Sequence, residues 1–226
     1  MTIRLWEKQY HWSNCLEKMK LNLGIYAVIS LMSSSVLLAT PALAQRSEPC
    51  NNDNQEQPSP RRREIINREY GLRFEIPANY RTELRRETEH RQQLSIIVRN
   101  PTDVNFMECG KRERMRGYGH QVSDVMVSIE PRPSNISNVR DILRNAAESS
   151  GIASEIIESN FTTIAGQDAV VYTGKTSYPE RYRYAQLIHP NGQYIIKIFA
   201  GDYGNVIEPV DLAVMDIIIS SLKIDG

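Results

Sequence analysis

The chain has 226 residues, and its 27 basic and 27 acidic side chains balance to a formal net charge of zero. That balance leaves no electrostatic footprint for a nucleic acid or another polyanion. The length fits one folded domain with extensions.

The N-terminus carries the first signal. Leu21 to Leu38 is an apolar run preceded by Lys18 and Lys20, and it ends in Thr40-Pro41-Ala42-Leu43-Ala44. Ala42-Leu43-Ala44 has the small-x-small form of a signal-peptidase site, so residues 1–44 read as a secretory signal peptide cleaved before Gln45. A transmembrane anchor is the competing reading. Asn22, Gly24 and Ser33-Ser34-Ser35 weaken it, in a run barely long enough to span a bilayer. The absence of a twin arginine before the run points to the general secretory route. Met19-Lys20 would open a more ordinary signal peptide, which makes Met19 an alternative start. Cleavage takes away four basic residues (Arg4, Lys8, Lys18, Lys20) and two acidic ones (Glu7, Glu17), leaving 23 against 25 and a net charge of −2. It also takes away Cys15. In an oxidising compartment the two remaining cysteines, Cys50 and Cys109, read as one disulfide, with two free thiols as the alternative.

Residues 45–62 offer no side chain able to anchor a core and read as a flexible linker. The folded domain is expected over 63–226. Glu64 to Glu69 forms a short strand, Tyr70-Gly71 a turn, and Leu72 to Ile76 an alternating strand closed by Pro77. Tyr80 to Thr88 is charged and reads as a weak edge strand. Leu94, Ile96 and Val98 alternate in the next strand, which Asn100-Pro101 ends. Residues 101–121 show no period and read as a long loop carrying Cys109 and the cluster Lys111, Arg112, Arg114 and Arg116. That cluster is the candidate docking patch for an anionic partner surface; a solvated loop is the plainer reading.

Val125, Val127 and Ile129 alternate in a further strand. The period then changes to that of a helix, with Val139, Ile142, Leu143, Ala146 and Ala147 on one face and Ser137 or Asn138 as cap. Ile156 to Thr163 and Ala169 to Thr173 read as two strands around a hairpin turn at Ile164-Ala165-Gly166-Gln167-Asp168. The hairpin over 181–200 follows, with Asn191-Gly192 expected at its tip as a type I′ turn. That turn sets Leu187 opposite Ile196 and Ala185 opposite Ile198 on one face, and Ile188 opposite Ile195 and Tyr184 opposite Phe199 on the other. Gln186 and Lys197 interrupt. Both faces are apolar, so each requires a cover. Pro209 opens a last helix with the stripe Val210, Val214, Ile217, Ile218 and Leu222. The fold expected is α+β: an α/β/α sandwich with a central, mostly antiparallel sheet of about eight or nine strands and two covering helices.

Tyr70-Gly71-Leu72-Arg73-Phe74-Glu75-Ile76-Pro77 is similar to the opening motif of the PsbP-like family, an aromatic-glycine pair followed by an alternating strand and proline. Ile164 to Ala169 before a strand, the hairpin at Asn191-Gly192 and the closing helix ending in Ser220-Ser221-Leu222 also resemble that family, and the resemblance spans about residues 64–226. It implies an α/β/α sandwich, an extracytoplasmic location in periplasm, thylakoid lumen or medium, no catalysis and no cofactor. Its best-known members are extrinsic subunits on the lumenal side of photosystem II. The partner implied is therefore a membrane-associated complex, with an anionic membrane surface as the alternative.

Among chemistry-bearing patterns, the sequence has no nucleophile elbow, zincin helix, phosphate-binding glycine loop or EF-hand. Glu87, Glu89 and His90 supply O and N donors close in sequence for a divalent cation, against a solvated charged edge. His120 with Asp124 is an equally weak pair, and His189 reads as an exposed residue flanking a turn. A hydrolase with scattered catalytic residues and a carrier of a small apolar ligand are the alternatives to a binding protein.

Overall fold

The computed structural model describes residues 50–87, 93–117, 119, 122–148, 155–176, 180–202 and 206–225. The chain divides into two units, Met1–Ala44 and Gln45–Gly226, and all described residues belong to the second. The expected signal peptide lies outside the described residues.

Among the described residues, ten strands and three helices follow in the order β1 (Arg62–Asn67), β2 (Leu72–Pro77), β3 (Arg81–Glu87), β4 (Gln93–Arg99), α1 (Pro101–Arg112), β5 (Asp124–Pro131), α2 (Val139–Glu148), β6 (Glu155–Ile164), β7 (Gln167–Lys175), β8 (Arg181–Ile188), β9 (Tyr194–Asp202), α3 (Pro209–Ser221) and β10 (Lys223–Ile224). The main sheet has seven antiparallel strands in the order β3-β4-β5-β9-β8-β7-β6. A separate three-stranded sheet has the order β1-β2-β10. The α+β class and the antiparallel sheet agree with the sequence reading. The second sheet and the third helix go beyond it.

The β8–β9 register is the expected one: Leu187 pairs with Ile196, Ala185 with Ile198, Ile188 with Ile195 and Tyr184 with Phe199. The turn that closes it differs. A type I′ turn needs positive φ at both central residues, yet only Gly192 lies there, at +72°. The Gly192 N–H bonds the His189 carbonyl and the His189 N–H bonds the Tyr194 carbonyl, so the loop is 190–193. Pro190 explains this. It has no N–H to close a ladder rung with Gln193, and its fixed φ suits the second position of a turn. The loop gains one residue on each side, so the pairing downstream is unchanged. Positive φ at two central residues occurs instead at Ala165 (+51°) and Gly166 (+76°), between β6 and β7.

Each face of β8–β9 has a cover. On one, Leu187, Ile196 and Ile198 are fully buried with Val214, Met215 and Ile218 of α3 and with Leu72 and Phe74 of β2. On the other, Ile195 packs with Ile142 of α2, Val170 and Tyr172, and Ile188 lies against the same cluster. Phe199 falls outside that cluster and sets its ring against Tyr184 at a tilt of 45°, 4.9 Å between centroids. Gln186 is buried, and its Nε2 donates to the Tyr172 hydroxyl at 2.6 Å, which offsets the cost of a polar group in the sheet interior.

The start of α2 is a reciprocal cap. The Asn138 Oδ1 accepts from the Arg140 and Asp141 N–H groups, while Asp141 Oδ2 accepts from the Ser137 and Asn138 N–H groups and the Ser137 hydroxyl. These bonds, the Ser137 backbone N–H foremost, hold the Asp141 carboxyl below the usual carboxylate range. A lowered acid pKa gives stability that is present above the unfolded value and lost as pH falls through the folded one. Asp141→Asn should therefore flatten the acid limb of the stability–pH curve below about pH 4 while leaving its neutral-to-basic shape alone, as urea melts across pH would read. At the sheet centre, Ile196→Ala should cost roughly 2–5 kcal/mol, the range for a fully buried aliphatic truncation; a loss under about 0.5 kcal/mol would contradict the central position of this strand.

Candidate functional site

Residues 101–112, expected to be loop, form α1. Asn100 caps it, its Oδ1 accepting from the Thr102 N–H at 3.0 Å, and Pro101 takes the first turn where a missing N–H costs nothing. The pair that ends β4 is thus also the start signal of a helix. The apolar period fails because the buried face is Asp103, Phe106 and Gly110, with one large hydrophobe among three.

What packs on this helix is the segment read as a flexible linker. Over 50–61 it is a docked strap. Glu56 pairs its N–H and carbonyl with the Asn100 side chain, at 3.1 and 2.8 Å. Asn52 and Gln55 both donate to Asp103 Oδ1, and the Thr102 hydroxyl donates to the Asn54 carbonyl. Asn79 bonds Glu56 Oε1 and the Gln57 carbonyl. The Asn100 Nδ2 also donates to the Tyr80 hydroxyl at 3.0 Å. Burial of Tyr80, aided by the Asp211 charge, pushes its hydroxyl pKa well up and keeps it neutral. The strap lacks hydrophobes, and composition alone hides a segment held by polar pairing.

A covalent bond closes the strap onto the helix. Cys50 and Cys109 form a disulfide with Cα atoms 5.6 Å apart, bridging a sequence separation of 59. Three residues beyond Cys109, α1 ends in a Schellman arrangement. The Met115 N–H bonds the Gly110 carbonyl at 2.9 Å and the Arg114 N–H bonds the Lys111 carbonyl at 3.3 Å. Arg114 takes the left-handed position of that motif, φ +53°, where glycine is usual. Lys111, Arg112, Arg114 and Arg116 are all exposed around this end. Arg112 meets Glu113 at 3.4 Å, an exposed pair that contributes little.

The other candidate residues are dispersed. Glu89, His90 and His120 lie outside the described residues, and Glu87 is exposed at the end of β3. Among the described residues no cluster of acids, histidines and cysteines could hold a metal ion. Asp124 faces Arg99, Oδ1 to Nε 2.7 Å and Oδ2 to Nη2 3.2 Å, and Arg99 also pairs with Glu83. Burial pushes the Asp124 carboxyl up against the pull of that guanidinium. His189, expected to be exposed, is buried. Its Nε2 lies 2.9 Å from the Tyr70 carbonyl and its Nδ1 accepts from the Asn191 N–H at 3.2 Å. Those two bonds fix the tautomer with the proton on Nε2 and tie the β8–β9 tip to the β1–β2 turn. A cavity of about 630 Å³ opens beside it between Tyr70 and Tyr194, but both imidazole nitrogens are already engaged.

No protein-family model and no curated protein sequence matches the chain. Among solved structures it is similar to the solution structure of cyanobacterial PsbP (CyanoP) from Synechocystis sp. PCC 6803, at 12% sequence identity and a TM-score of 0.44. The match covers 78% of this chain and 97% of that one.

For a closed loop of this size the chain-entropy account values a disulfide at about 4 kcal/mol. Cys50→Ser with Cys109→Ser should lower stability by up to that amount, and thiol titration of the unreduced, denatured protein should find neither cysteine free. Two reactive thiols from Cys50 and Cys109 would rule the bond out.

Proposed function

We propose that this chain is an exported, non-catalytic accessory protein that docks on an acidic face of a membrane-associated complex through Lys111, Arg112, Arg114 and Arg116. The observation that carries the reading is Arg114. A non-glycine residue in the left-handed region costs about 1–2 kcal/mol, and the Schellman position accepts glycine freely. The arginine there places a guanidinium beside three other cations, and strain of this kind collects at functional positions.

The anchoring supports the same reading. The cluster sits on a helix end whose strap is tied by the Cys50–Cys109 bond, so less conformational entropy is lost on docking than from a free loop. Arginine forks suit carboxylate and phosphate groups. The disulfide fits an oxidising, extracytoplasmic compartment. The sequence resemblance to the PsbP-like family points toward a lumenal or periplasmic membrane complex, with photosystem II the case its best-known members suggest. An anionic lipid surface would present the same chemistry less specifically.

The catalytic alternative has little to use. His189, the described histidine beside a cavity, spends both nitrogens on structural bonds. The apolar-carrier alternative needs space between sheet and helix, where Val214, Met215 and Ile218 are each fully buried.

Co-sedimentation with membranes of the source cell and with phosphatidylglycerol vesicles tests the proposal. Binding to the native membranes should weaken as salt rises, because exposed charges are screened within about 8 Å at physiological ionic strength. Arg112→Glu with Arg114→Glu should abolish it with little change in melting temperature. Arg114→Gly should raise stability by about 1 kcal/mol and still weaken docking. Undiminished binding of the double mutant, or no association of the wild type at low salt, would overturn the docking role. Equal binding to lipid vesicles alone would assign the partner to the bilayer.

A further inference from the structure

At the opposite end of the main sheet, α3 stops short of the edge strand and leaves a groove. Glu158, Asn160 and Thr162 of β6, Thr173 of β7, Arg183 of β8 and Asp216 of α3 line it, and its volume is about 370 Å³. Arg183 pairs in register with Thr173 and Ala200 and so stands on the α3-covered face, with Ala185 two residues further along the strand. It is half-buried, and its Nε is shut off from solvent with no hydrogen-bond partner. Among the described residues no carboxylate forms an ion pair with it. The Glu158 Oε1 is occupied by the Thr173 hydroxyl at 2.9 Å, and Asp216 is exposed on the helix.

A guanidinium carries five donors, and the one at the Arg183 Nε is buried without a partner, which costs stability. Nothing in the sheet requires an arginine at this place, since its neighbours on the same face, Val171 and Ala185, are apolar. The groove therefore presents a half-buried cation with one buried, unpaired donor, and two exposed carboxylates beside it. A simple anion would meet Glu158 and Asp216 as well as Arg183, and a simple cation would meet Arg183. A molecule carrying a carboxylate and an ammonium close together complements both signs at once. The volume lies at the lower end of the range for small-molecule sites.

We propose that this groove binds a zwitterionic amino acid or dipeptide, its carboxylate on the Arg183 guanidinium and its ammonium toward Glu158 and Asp216. Asn160 and Thr162 supply neutral polar contacts between the two charges. The site is independent of the basic cluster on α1. β6 is the far edge of the sheet from β3, whereas α1 follows β4. An accessory protein with such a site would respond to free amino acids or short peptides in its compartment.

The experiment is a titration of the isotope-labelled protein followed by amide chemical shifts. The probes are glycine, leucine, glutamate, lysine, tyrosine and diglycine, with acetate, methylammonium and inorganic phosphate as half-ligands. Saturable shifts confined to β6, β7, β8 and the second half of α3 are expected for at least one amino acid or diglycine below about 10 mM. Each half-ligand should bind at least about tenfold more weakly than the best zwitterion. Arg183→Gln should weaken that binding at least about tenfold while holding or raising the melting temperature, because it removes an unpaired charge. No saturable shift with any zwitterion overturns the proposal. So does acetate or phosphate binding as well as the amino acid, which would make this an anion site. Unchanged affinity in Arg183→Gln, or a large loss of stability in that variant, would overturn it too, the latter by giving Arg183 a structural role.

Discussion

The β8–β9 hairpin is apolar on both faces, and this is the constraint from which the architecture follows. A ribbon with one apolar face can rest on a single layer, but this one must be covered twice to remove its surface from water. On one side Leu187, Ile196 and Ile198 meet α3 together with β2 of the small sheet. On the other Ile195 and Ile188 meet α2. The two polar intruders are handled by pairing: Gln186 with the Tyr172 hydroxyl, and Lys197 with Glu130. β5 then joins β9 on its other edge, and hairpins carry the sheet outward to a charged edge at β3, whose arginines and glutamates discourage further pairing.

A second principle operates around α1. The strap over 50–61 and the helix it crosses bury little hydrocarbon, and their cohesion comes from polar satisfaction plus one covalent bond. Asn100 is the hub. Its amide oxygen accepts from Thr102 and Glu56, and its amide nitrogen donates to Glu56 and Tyr80. One nearly inaccessible side chain thus caps a helix, pairs with a strap and reaches into the core. Such an assembly depends on an oxidising environment more than a hydrophobic core does, since the Cys50–Cys109 bond holds the strap where apolar contacts do not. It also brings the positively charged end of α1 to the surface.

The two proposed sites use arginine in opposite ways. At the end of α1 the guanidinium groups are exposed, and Arg114 takes a left-handed backbone conformation. In the β6–α3 groove the mark is electrostatic: Arg183 is half-buried with its Nε unpaired, beside carboxylates that do not pair with it. The first suits a broad acidic surface, the second a small molecule of mixed charge. The groove residues lie on β6, β7, β8 and α3, and the basic cluster lies on and just after α1, so either set can be substituted without changing a residue of the other.

Periodicity by itself determined the central hairpin, its register, the helices α2 and α3 and the need for two covers, because alternation and the 3.6-residue repeat are local records of which face is buried. The register survived even an error in the turn, since Pro190 lengthened the loop symmetrically and left Leu187 facing Ile196. Asn191-Gly192 looked like a type I′ turn only because the effect of the preceding proline is steric and is not part of that dipeptide signal. Tertiary structure alone decided the rest. Whether β1 and β2 joined the main sheet or paired with β10 turned on hydrogen bonds between residues some 150 positions apart, as in Arg73 and Asp225. The burial of His189 against the Tyr70 carbonyl, the strap on Asn100 and the helix over 101–112 likewise rest on polar groups satisfied by distant partners. A polar residue reads the same in sequence whether water or another part of the chain completes its hydrogen bonds, and only the fold supplies the partner.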